Sequence, residues 1–225
     1  MQDLDAYSVL VGSIYDRVGQ PEEWSALLED LTDFVGGRVG QLAVFSLDGN
    51  RKPLWAVSGF ERARYREFLY RHATEDPRLP YILSNQGKVI RAEEGVDAVQ
   101  FRESALFKEV VQPFEIEHSL VTYFAKEADV MATLAAMRGE DGGPFRSDEV
   151  RRLAMLVPHL RRAFELYALM RQASERTSDL ASALDLLDAA VILTDSDLRV
   201  AHANRAAEAL ARSRAGLSFV KGSLV

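Results

Sequence analysis

Apolar residues recur every three or four positions at the start of the chain, at Tyr7, Leu10, Val11, Ile14 and Val18. That period puts them on one face of an α-helix. Gly19 suits the end of this helix and Pro21 the first turn of the next. The second helix has Trp24, Leu27, Leu28, Leu31 and Val35 as its stripe, and Gly36-Gly37 stops it. From Gln41 to Leu47 the pattern changes to that of a strand. Asp48-Gly49-Asn50 reads as a turn and Leu54 to Val57 as the returning strand. A helical pattern follows over Arg62 to His72 and ends before Asp76-Pro77, because proline pushes the preceding residue out of the α region. Gly87 to Ile90 predicts a short strand, and Phe101 to Val111 a helix closed by Pro113. Ser119 to Phe124 and Val130 to Met137 are two further strands joined by a polar turn at Lys126 to Asp129. Asp141-Gly142-Gly143-Pro144 ends this module. Helices outside an antiparallel sheet predict an α+β domain over residues 1–145.

A long helix is predicted over residues 146–188, with Ser147 as its N-cap and Asp148 and Glu149 well placed for the helix dipole. Its apolar positions are Leu156, His159, Ala163, Leu166, Met170, Ala173, Thr177, Leu180, Leu184 and Leu187, alternately three and four apart. A 3.5-residue period suits a stripe that faces a second helix, so these residues are the candidate dimerisation seam. Pro158 removes one main-chain hydrogen bond and predicts a kink near Ala154. Two readings stand for His159: it faces its mate across a dimer seam as a titratable pair, or it binds a carbonyl freed by Pro158. Residues 189–225 read as a hairpin, Val191 to Thr194 and Arg199 to His202, followed by a short helix from Asn204 to Arg212. Units below roughly 40 residues seldom bury enough apolar surface alone, so this piece is expected either to pack on a mate or to continue in a longer chain.

The bulk numbers narrow the possibilities. The chain has 225 residues, 48% of them hydrophobic, with a net charge of −7. That balance argues against a nucleic-acid-binding surface. There is no cysteine, which excludes disulfides and thiolate chemistry. The start, MQDLDAYSVLV, lacks the basic n-region of a signal peptide, and no apolar run approaches the roughly 20 residues of a membrane span. These features predict a soluble, cytoplasmic protein with no membrane partner.

Several short blocks resemble the sensory half of bacterial LuxR-type helix-turn-helix transcription regulators. Ile14-Tyr15-Asp16 with Pro21 and Trp24 is similar to their opening pattern. Arg71-His72 with Asp76-Pro77-Arg78 is similar to a second block, although Ala73 replaces a tyrosine. Ser104, Phe107, Pro113 and His118 match a third. The most specific block joins Gly143-Pro144-Phe145, Glu149 and Leu156 to Ala163. Leu184 to Ala207 resembles the opening of their PAS-like module. The resemblance implies a GAF-like antiparallel sheet flanked by helices, a long dimerisation helix and a partial PAS-like α/β segment. It implies DNA binding only through a C-terminal helix-turn-helix, which this sequence does not contain.

GAF-like and PAS-like domains commonly enclose small ligands. The candidate lining here is Trp55, Tyr65, Phe68, Tyr81, Phe107 and Tyr123, although such aromatics also fill ordinary cores. Tyr65 and Tyr123 are the stronger candidates, because a buried hydroxyl seeks a partner. Asp76-Pro77 is similar to the step that holds the ligand amide in acyl-homoserine-lactone sensors. Those sensors place a tryptophan and a tyrosine shortly before the aspartate, where Ala63 and Glu67 stand here, so the lactone constellation is absent. The four histidines are not at metal-ligand spacing, and no nucleophile elbow, P-loop or dinucleotide fingerprint occurs. No catalytic residue, metal or cofactor is expected. The leading expectation is a homodimeric signal-sensing fragment of a LuxR-type regulator, in which Leu184→Glu would break the dimer. The alternative is a ligand-free dimerisation or interaction scaffold acting through a partner protein.

Overall fold

The structure is a computed structural model that describes residues 2–46, 54–59, 75–127, 130–213, 219–220 and 223–224. The turn expected at Asp48-Gly49-Asn50 and the helix expected at Arg62 to His72, with Tyr65 and Phe68, lie outside these residues. Two compact units emerge, residues 1–167 and residues 168–225.

In the first unit, α1 (Gln2–Asp16) and α2 (Trp24–Phe34) precede the hairpin strands β1 (Val39–Ser46) and β2 (Leu54–Ser58). Short elements follow: α3 (Leu79–Ser84), β3 (Val89–Arg91) and α4 (Ala98–Glu103). The long strands β4 (His118–Glu127) and β5 (Val130–Arg138) then lead into α5 (Ser147–Asp185). The five strands form one antiparallel sheet in the order β2-β1-β5-β4-β3. Mixed helix and antiparallel sheet is the α+β architecture.

Alternation along the strands gives the sheet two apolar faces. Leu42, Val44, Leu120, Leu134 and Ala136 pack against Leu28 and Leu31 of α2 and against Leu153, Leu156, Leu160 and Phe164 of α5. Val39, Val57 and Met137 pack on the other face with Phe101, Leu106, Val110 and Ile116. Helix α2 sits directly on β1 at Gly40. A Cβ there would lie 2.2 Å from Thr32 Oγ1 and 2.7 Å from Leu28 Cγ, so only glycine lets the two backbones come this close. Gly40 thus serves helix-on-sheet packing from within β1.

Two local expectations need correction. The helix expected from Phe101 to Val111 is broken. Ser104 Oγ donates to Phe101 O at 2.7 Å and accepts from Phe107 N at 3.1 Å, ending α4 and starting a separate π-helical turn over Phe107–Val111. Ser147 does not cap α5 but is its first residue. Glu149 performs the capping, its Oε2 accepting from Arg146 N at 2.6 Å, which is one half of a capping box.

The same carboxylate anchors a buried cluster. Arg138, at the end of β5, meets Glu149 with two parallel contacts of 3.0 Å. It also donates to the carbonyls of Gly36, Gly143 and Pro144 at 2.8–2.9 Å and stacks 4.0 Å above the Phe145 ring. The end of α2, the end of β5 and the start of α5 are held by this one guanidinium.

The second unit contains the rest of α5, the hairpin β6 (Ile192–Thr194) and β7 (Val200–Ala203), and α6 (Arg205–Arg212). Two-residue strands at Phe219–Val220 and Ser223–Leu224 also pair. Asn204 is its hub and is fully buried. Its Nδ2 donates to the carbonyls of Leu184 and Ala189, and its Oδ1 accepts from the N–H groups of Val191 and Ala207, all at 2.9–3.0 Å. All four hydrogen-bonding places of its amide are therefore filled.

Candidate functional site

Two of the aromatic residues singled out by sequence, Tyr81 and Tyr123, come together. Tyr123 is buried with Ile82, Ile90, Ala92 and Val121, and Tyr81 packs at the edge of the same cluster. The Tyr81 ring lies against the backbone of Gly95, where a Cβ would approach it to 2.3 Å. Phe107 lies in the neighbouring cluster on the same sheet face, edge-on to Phe101 at 5.4 Å, and Ala135 borders both groups. Trp55 occupies β2, paired in register with Ala43.

A bulge in β4 decides where Tyr123 and its neighbour point. Tyr123 pairs with Thr133 but Ala125 pairs with Ala132, so Phe124 is an extra residue on this strand. Tyr123 therefore faces the side of α3, while Phe124 and Ala125 both join the core under α1, α2 and α5. The Tyr123 hydroxyl has no hydrogen-bond partner among the described residues. Burial pushes its pKa up, which keeps the phenol protonated and able to donate.

Asp76 is already committed. Its two oxygens accept from Arg78 Nε and Nη2 at 2.9 Å each, and Oδ1 also accepts from the Arg78 N–H. Arg78, itself buried, lies 4.5 Å over the Phe101 ring and reaches Ser119 Oγ at 3.4 Å. The Asp76 carboxylate is thus occupied by the chain's own arginine. Sequence reasoning passed over Arg78, although its position two residues after Asp76 permits the closed pair. Nearby, Glu93 accepts from Ser119 N and contacts His118 Nδ1, both at 3.2 Å. Among the described residues no three His, Asp or Glu side chains gather as a metal site requires, and no helix is long and apolar enough to cross a membrane.

The seam residues divide between the two units. Leu156 is fully buried in the core of its own unit, and Ala163 packs at that core's edge. His159 is held by α1, with Tyr7 Oη 3.0 Å from Nε2 and Tyr15 Oη 3.2 Å from Nδ1. Its ring is thus satisfied by two tyrosines, and a carbonyl freed by Pro158 plays no part. Leu166 and Leu184 are half-buried, while Met170, Ala173, Thr177, Leu180 and Leu187 are exposed, Leu180 at 67%.

No protein-family model matches the chain, and no curated protein matches it in sequence. Solved structures do resemble it. The ligand-binding domain of VqsR from Pseudomonas aeruginosa is 13% identical, with a TM-score of 0.56 over 72% of this chain and 96% of that one. The N-acylhomoserine-lactone-dependent LuxR-family factor CepR2 from Burkholderia cenocepacia is 16% identical, with a TM-score of 0.54 over 76% and 98%. SdiA in complex with octanoyl-rac-glycerol is 18% identical, with a TM-score of 0.52 over 77% and 68%. The chain therefore has the fold of ligand-binding domains in LuxR-type regulators.

Proposed function

We propose that this chain is the signal-sensing part of a LuxR-type transcription regulator. In this reading residues 1–145 form a GAF-like sensor, 146–188 connect and pair two copies, and 189–225 open a PAS-like module. The sensor takes a small organic molecule on the sheet face of Tyr81, Phe107 and Tyr123. The observation that carries this is Tyr123, a buried aromatic side chain on that face whose hydroxyl makes no hydrogen bond to the described residues. A hydroxyl so placed can donate to the acceptor of a ligand that packs on this face. The ligand class is an apolar molecule bearing one acceptor; with Asp76 closed by Arg78, an acylated lactone amide has no carboxylate to receive it.

Native mass spectrometry of the purified chain tests this. A retained small molecule is expected, and Tyr123→Phe should lower its occupancy by about tenfold, the equivalent of one hydrogen bond of roughly 1.4 kcal/mol. A bare protein at every concentration would instead return the scaffold reading.

Pairing is assigned to the exposed half of α5. Leu180 is the cleaner test of it, because Leu184 also packs within its own unit and lends its carbonyl to Asn204. Leu180→Glu costs an isolated chain little, but in a paired seam it removes about 1.5–3 kcal/mol of burial per copy and buries a charge. Sedimentation should show the dimer becoming a monomer. A dimer that survives the change would rule this seam out.

A further inference from the structure

The sheet face opposite Tyr123 carries a cavity of about 40 Å³, bounded by Trp24 and Leu27 of α2, Phe124 of β4, and Leu160, Ala163 and Phe164 of α5. It lies wholly within the first unit and is partly open to solvent. Its walls are hydrocarbon and aromatic. The indole N–H of Trp24 is turned away from the space, donating to Arg17 O at 2.8 Å. A water molecule held there would need two to four polar partners, and the lining offers almost none. An empty apolar space in an otherwise close-packed interior is a binding site for hydrocarbon alone.

Size narrows the class further. A cavity of roughly 150 Å³ admits a whole benzene ring, and this one, about a quarter of that, takes only about two or three carbon atoms in single file. The aperture lets a longer chain continue outward and keep its polar end in water. We propose that the cavity is a second binding site, distinct from the Tyr123 face, which receives the terminal methyl and methylenes of an unbranched alkyl chain. Three of its ten lining residues belong to α5. The Phe124 and Phe164 rings meet edge to face at 6.2 Å in its wall, so an occupant touches both the sheet and that helix.

The test uses the full chain with 6-bromohexan-1-ol, whose bromine quenches indole emission on contact. Saturable quenching is expected in Trp55→Phe, where Trp24 is the one remaining indole. Ala163→Leu fills the space and should weaken binding by about fivefold or more. Leu27→Ala enlarges the space and should tighten binding by about threefold, which decides the matter if circular dichroism shows Ala163→Leu unfolded. Quenching that rises linearly without saturation, or that ignores both cavity variants, overturns the proposal. None of these outcomes depends on the Tyr123 ligand.

Discussion

Arg138→Leu should lower the stability of the folded chain by about 3–5 kcal/mol, the usual cost of stranding one partner of a buried ion pair. For a chain of this size that corresponds to a melting temperature lower by roughly 6–20 °C. The variant leaves Glu149, whose side chain is only 5% exposed, without its bidentate partner. It also removes the donor from the Gly36, Gly143 and Pro144 carbonyls. Urea denaturation would measure the loss. Arg138→Leu combined with Glu149→Leu should recover a large part of it, because an apolar pair strands no charge. If the single variant is as stable as the native chain, the cluster does not hold these elements together.

The same cluster sets an acid limit. Burial alone would push the Glu149 carboxyl up. The hydrogen bonds from Arg138 and from the Arg146 N–H, with both arginine charges, outweigh burial and hold it below its ordinary 4.5. Such a group adds stability above its unfolded pKa and loses it as pH falls through the lower folded value. The native chain should therefore lose stability steeply below about pH 4.5, and Glu149→Gln, though weaker throughout, should show a shallower fall over the same window.

Asn204→Leu has the second largest expected effect, confined to the second unit. Leucine has a similar volume but makes none of the four amide hydrogen bonds and cannot cap α6. An N-cap is worth about 1 kcal/mol, and each buried main-chain group left unpaired costs about 1–3 kcal/mol. The sum of roughly 3 kcal/mol or more is large for a small unit in which, among the described residues, only Asn204 and Ala207 are buried. Hydrogen exchange should show amides from Val191 to Ser213 losing protection while those of β4 and β5 keep theirs. Equal loss in both units would mean that Asn204 supports more than its own segment.

The sheet and the leading helices are legible in the sequence because each obeys one period: Leu42 and Val44 alternate, and Leu27, Leu28 and Leu31 recur as a helix requires. Features that depend on partners distant in sequence are not. Arg138 and Glu149 stand on different elements, and no local spacing announces that one clamps the other. Asn204 reads as the start of a helix, and its grip on Leu184 depends on the chain returning after twenty residues. Ser104 breaks a run whose apolar spacing looks continuous, and the bulge at Phe124 leaves no mark on the alternation around it. The seam shows a deeper ambiguity. A stripe spaced three and four apart serves a helix on its own sheet as well as a helix on a mate. Leu153, Leu156, Leu160 and Phe164 use it for the sheet. For the candidate site, the tyrosines Tyr81 and Tyr123 were recognisable by type, but the pairing of Arg78 with Asp76 was visible only in three dimensions.

Helix α5 runs unbroken to Asp185, yet its last buried residue is Phe164. The stretch beyond Tyr167 is about as long as the shortest isolated helices that hold together in water, and its Ala-Ser-Glu-Arg-Thr-Ser centre is a poor former. In the proposed dimer a mate adds to its order. Under that proposed pairing, helical content between Ala168 and Asp185 should rise with protein concentration.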